Sequence, residues 1–106
     1  MHKRFLIPIV ALLTACAVPV PMKKSAFVGE WRAPGMYLLI MQDGSVAYKR
    51  LKGGGSISIE GPLRGFEGDN AVVGIWPIRK TFVVSVPPHQ DAGRWKMTVD
   101  GVELTR

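Results

Sequence analysis

Apolar and polar residues alternate along most of this chain. Trp95, Met97 and Val99 fall on one side of an extended segment, with Lys96 and Thr98 on the other. That period of two marks a strand with one buried face. Phe82, Val84 and Val86 repeat the pattern, which Pro87-Pro88 should end, since proline has no N–H to give a central ladder. Asp100-Gly101 separates the Trp95 segment from Val102–Thr105, and Asp43-Gly44 separates two further apolar runs. Both dipeptides favour tight hairpin turns. Other strands are expected over residues 28–33, 36–42, 45–51, 56–60 and 71–76, with turns or loops over 53–55, 67–70 and 87–93, where Gly, Pro, Asp and Asn cluster. No window sustains a helical period, so helix is confined to a turn near residues 24–27.

These signals predict an all-β domain: a small antiparallel meander of seven or eight strands, closed or nearly closed into a barrel. Trp31, Phe82 and Trp95 are its expected core anchors, and Trp76 should sit at a strand end because Pro77 follows it. One segment breaks the alternation. Met36-Tyr37-Leu38-Leu39-Ile40-Met41 is apolar on both faces, whereas an antiparallel strand with one wet face should not be. One face is therefore expected to fill the core. The other, Tyr37, Leu39 and Met41, is a candidate interaction surface covered by the N-terminal segment, a partner or a second copy.

The amino-terminal stretch is different in kind. Met1-His2-Lys3-Arg4 is short and positive, Phe5 to Leu13 is apolar apart from Pro8, and small residues follow. This is the layout of a secretory signal peptide. A spanning helix would need about 20 apolar residues, and no arginine pair marks a twin-arginine signal. Leu13-Thr14-Ala15-Cys16 resembles the lipobox of bacterial lipoproteins. The resemblance implies that residues 1–15 are removed, that the Cys16 thiol takes a diacylglyceryl group, and that its new amine receives a palmitate-type chain. Two or three acyl chains anchor durably where one is marginal. By the same resemblance, the non-acidic Ala17 after the cysteine implies export to the outer membrane, facing the periplasm. Val18-Pro19-Val20-Pro21 would run extended as a stiff spacer, with Lys23 and Lys24 near the headgroups or simply solvated. The expected organisation is a signal peptide over 1–15, a lipidated cysteine and tether over 16–26, and a β domain over 27–106. That domain is expected to fold without Met1 to Met22.

Charge narrows the partners only slightly. Two of the 14 basic residues, Lys3 and Arg4, lie in the leader, leaving 12 against 8 acidic ones, a formal +4. The membrane, reached through the lipid on Cys16, is the first expected partner, and an envelope protein or cell-wall material the second. An exported chain meets little nucleic acid, so none is expected. Lys49, Arg50 and Lys52, with Arg79-Lys80, read as solvated charges that discourage edge pairing. The single cysteine rules out an intramolecular disulfide, so the fold rests on packing.

No catalytic residues, metal or cofactor are expected. His89 is the one histidine beyond the leader, and Asp91 two residues on gives a spacing with no known catalytic mechanics. Zinc typically needs three or four His, Cys or carboxylate ligands. Asp43, Asp69, Asp91 and Asp100 all sit at turn positions, where aspartate serves the backbone. Gly53-Gly54-Gly55-Ser56 lacks the Lys-Ser/Thr ending of a phosphate loop. The chain is therefore expected not to be an enzyme.

Gly29-Glu30-Trp31, on the first expected strand, resembles the Gly-x-Trp signature of lipocalins, weakly and over a few residues. The resemblance implies that Trp31 packs across a closed barrel end, and it supports a second functional reading, a carrier of a small apolar ligand. The leading reading is an outer-membrane-anchored lipoprotein with a non-enzymatic binding or structural role in the envelope. A barrel this short would be filled by its own side chains.

Overall fold

The computed structural model of the chain describes residues 17–75 and 77–106; the lipobox with Cys16, and the expected strand-end position of Trp76, lie outside them. A 3-10 turn over Met22–Phe27 leads into β1 (Gly29–Ala33), β2 (Met36–Ile40), β3 (Ser45–Lys52), β4 (Gly55–Glu67), β5 (Asn70–Ile75), β6 (Ile78–Phe82), β7 (Val84–Asp91), β8 (Arg94–Val99) and β9 (Val102–Thr105). All pairings are antiparallel, in the order β6-β5-β4-β3-β2-β1-β9-β8-β7. The fold is thus an all-β meander, curled into a half-barrel.

Nine strands replace the expected seven or eight because one apolar run is divided. Phe82, Val84 and Val86 do not share one strand; the ladder breaks at Val83, and β6 pairs with β5 while β7 pairs with β8. The two edge strands of the ladder are therefore joined by a single residue, a corner of the kind made where a strand changes sheets. Side chains hold this corner. Asp100 Oδ1 accepts from the Val83 N–H at 2.9 Å, Asn70 Oδ1 from the Val84 N–H at 2.9 Å, and Lys80 Nζ donates to Asp100 Oδ2 at 2.8 Å.

The expected loop over 87–93 is also corrected. β7 runs on to Asp91, and the turn is only Ala92-Gly93, both with positive φ. Pro87 and Pro88 are tolerated because β7 is an edge strand whose register slips on either side of Val86. β4, expected to stop at Glu60, extends to Glu67 by changing partners. It pairs with β3 as far as Pro62, then with β5 from Leu63, with a bulge before Gly65. Lys49, Arg50 and Lys52 do not guard an edge, since β3 lies between β2 and β4.

The inner face of the sheet is filled. Trp31, Leu38, Leu63, Phe82, Met97 and Leu104 are essentially inaccessible, and Tyr48 meets Phe82 edge-to-face at 4.9 Å. The Trp31 indole N–H donates to the Phe27 carbonyl at 2.9 Å. Trp95 is half-buried against the same cluster. The Arg106 guanidinium lies between the two indoles, 4.9 Å from the Trp31 ring and 4.8 Å from the Trp95 ring, and donates to the Ala26 carbonyl. This accounts for the Gly-x-Trp spacing. A Cβ on Gly29 would stand 2.7 Å from Arg106 Cδ, and its φ of +144° suits glycine alone.

The segment expected to be a free spacer is packed. Val18 N–H donates to the Leu63 carbonyl at 2.9 Å, and Val20 N–H to the Gln42 carbonyl at 3.0 Å. Gln42 Nε2 returns a bond to the Val20 carbonyl at 2.7 Å. Val20 is 3% exposed and belongs to the core. Gly44 has no room for a side chain here, because its Cβ would stand 2.3 Å from the Val18 carbonyl oxygen. Lys24 is committed within the domain, ion-paired to Asp69 at 2.9 Å beside the Phe27–Phe66 ring pair.

Candidate functional site

The doubly apolar β2 strand divides as its pattern requires. Met36, Leu38 and Ile40 point into the core, while Tyr37 and Leu39 are half-buried on the outer face and Met41 is 47% exposed. Pairing sets their outer-face neighbours. Leu39 stands between Glu30 of β1 and Ala47 of β3, and Tyr37 between Arg32 and Lys49.

These two rows differ chemically. Around Tyr37 the surface is polar: its hydroxyl donates to Glu30 Oε2 at 2.7 Å, Arg32 pairs with Glu30 at 3.0 Å, and the Arg32 guanidinium lies 5.0 Å from the Tyr37 ring. The Tyr37 bond, reinforced by Arg32, holds the Glu30 carboxyl below the usual carboxylate range. The same bond to Glu30 pushes the Tyr37 phenol up.

Around Leu39 and Met41 the surface is an apolar groove of about 750 Å³. Leu39 and Met41 join Ala47 of β3 along one part of it, and Gly61, Pro62 and Ile75 line another. Ala17 and Pro19 of the packed segment contribute to its lining. Its charged residues are acidic, Asp43 and Glu60, with Ser45 beside them. Asp43 Oδ1 accepts from the Ser45 N–H at 2.9 Å, which holds the Asp43 carboxyl below its ordinary range. The groove volume lies within the roughly 300–1,000 Å³ of small-molecule sites.

Of the candidate interaction residues, Leu39 and Met41 thus meet at the groove, and Tyr37 belongs to the neighbouring polar cluster. The anchors Trp31 and Phe82 lie in the core, and Trp95 shares the Arg106 stack. Ala47 and Ile75 were not singled out from the sequence, whereas Ala17 and Pro19 belong to the N-terminal segment, one of the covers expected for this face. The Asp43-Gly44 hairpin carried a signal for Ala47, because a tight turn there sets the register that places it opposite Leu39. Ile75 reaches the groove by tertiary folding and had no such signal. His89 is exposed, its Nδ1 3.1 Å from the Pro87 carbonyl oxygen, while the Asp91 carboxylate pairs with Lys96 at 3.2 Å. These two residues do not form a His–carboxylate pair. Among the described residues, no cluster of three or more His, Cys, Asp or Glu is arranged to hold a metal, and no helix is long and apolar enough to cross a membrane. No protein-family model matches the chain, and neither the curated proteins nor the solved structures compared with it contain a match.

Proposed function

We propose that this chain is an outer-membrane lipoprotein, held by acyl chains on Cys16, with a non-enzymatic binding or structural role at the periplasmic face. The observation that carries the reading beyond the lipobox is the packing of residues 18–20 onto the sheet. With Cys16 lipidated, only Ala17 separates the anchor from the fixed backbone, so the domain would be held at the bilayer surface rather than on a spacer. The groove opens at Ala17, the residue that follows Cys16 in the chain. The packed inner face favours this reading over a carrier with an internal cavity, because the core side chains occupy the space such a ligand would need.

Metabolic labelling with a fatty-acid analogue tests the reading directly. The native chain should be labelled and recovered in outer-membrane fractions, and Cys16→Ser should remain an unlabelled, unprocessed precursor. Equal labelling of the two would refute the assignment of Cys16.

A further inference from the structure

We propose that the outer-face groove seats one acyl chain of the lipid on Cys16. The inference rests on the lipoprotein reading and adds a destination for part of the anchor.

Three observations converge on it. The first is position. Ala17 lines the groove and is bonded to Cys16, whose Cα is therefore about 3.8 Å from that of a lining residue. Val18 and Val20 are pinned to the sheet, which holds Ala17 at the groove. The second is lining chemistry. Leu39, Met41, Ala47, Pro62 and Ile75 offer an apolar channel of the size that accommodates small ligands. The third is charge. The charged residues in the lining are both carboxylates, Asp43 and Glu60, and the Ser45 N–H bond to Asp43 favours its ionised form. An anionic headgroup or a free fatty-acid carboxylate would be repelled there. The acyl groups on a lipidated cysteine are neutral esters and an amide, so the acidic lining does not oppose them.

Attachment also decides between sources of acyl chain. A short tether confers an effective concentration on the order of mM, which favours the chain's own lipid over dilute free lipid. One chain placed in the groove leaves the others in the bilayer, and two suffice for stable anchoring. The groove therefore competes with the bilayer for one chain without releasing the protein.

The test uses the full chain, processed in cells fed a palmitate analogue bearing a photoreactive diazirine. The protein is extracted in mild detergent and irradiated, and its crosslinks are mapped by mass spectrometry. The expected result is intramolecular crosslinks from the Cys16 lipid to Leu39, Met41, Ala47 or Ile75. Ala47→Trp, which fills the groove, should lower them about tenfold while the melting transition is kept. If that variant does not fold, Ile75→Asp replaces it, since Ile75 is 59% exposed. Label on Cys16 with crosslinks only to detergent, to lipid or to a second copy overturns the seat and leaves the lipoprotein reading standing. Crosslinks unchanged in a folded groove variant also overturn the seat. Absence of label on Cys16 overturns both.

Discussion

Replacing Val20 by alanine separates a packed N-terminal segment from a passive tether. Val20 is 3% exposed, among the core residues, and the backbone bonds at its N–H and carbonyl do not depend on its side chain. The substitution removes two buried carbon groups at about 0.8 kcal/mol each. A term for the space left behind brings the expected loss to about 2 kcal/mol. Deleting the whole segment would be less informative, because ordering each residue costs about 1–2 kcal/mol of backbone entropy, and that cost would vanish with the contacts. In a domain of this size, a loss of about 2 kcal/mol lowers Tm by roughly 8–16 °C. Val18→Ala is the internal control. Val18 is 41% exposed on the same segment, so its truncation should cost no more than about 0.5 kcal/mol. Urea denaturation of chains spanning Ala17 to Arg106, followed by circular dichroism, gives both values. Equal midpoints for the two variants would refute the placement of Val20 in the core.

Trp31→Ala should cost about 3–5 kcal/mol, a large share of an ordinary stability of ~5–15 kcal/mol, and urea midpoints would read it. Gly29→Ala should cost about 1–3 kcal/mol through its positive φ. It also crowds Arg106, so Arg106→Ala should cost less in the Gly29→Ala background than in the native chain, a non-additivity that a double-mutant cycle measures. Asp100→Ala should destabilise more than Asp100→Asn, because asparagine retains an acceptor for the Val83 N–H and tolerates the φ of +48°; equal thermal midpoints would mean that the corner does not depend on this bond. Glu30 and Tyr37 predict opposite pH limits. The depressed Glu30 carboxyl contributes stability above about pH 4.3 that is lost as pH falls through its folded value, while the raised Tyr37 phenol contributes stability below about pH 10 that is lost as pH rises through its own. Tyr37→Phe should move the Glu30 titration, followed by carboxyl carbon NMR, back toward the ordinary carboxylate value.

Local chemistry determined the strands and most turns of this protein. Alternation at Trp95, Met97 and Val99 set one strand, and Asp43-Gly44 and Asp100-Gly101 set two hairpins, because those signals act over a few neighbouring residues and need no distant partner. The doubly apolar Met36–Met41 run likewise marked β2 as unusual before its neighbours were known. What followed from contacts distant in sequence was decided only in three dimensions. The corner at Val83 depends on Asn70 and Asp100, β7 carries two prolines because that strand is an edge, and the Gly29 requirement comes from Arg106. Val18-Pro19-Val20-Pro21 shows the difference most directly. Two prolines exclude helix and favour extension, which sequence determines, but the same extended backbone serves equally as a solvated spacer or as an added segment bonded to a sheet. Leu63 and Gln42 supply the backbone acceptors, and the surrounding core encloses Val20. That packing turns a linker into part of the groove lining.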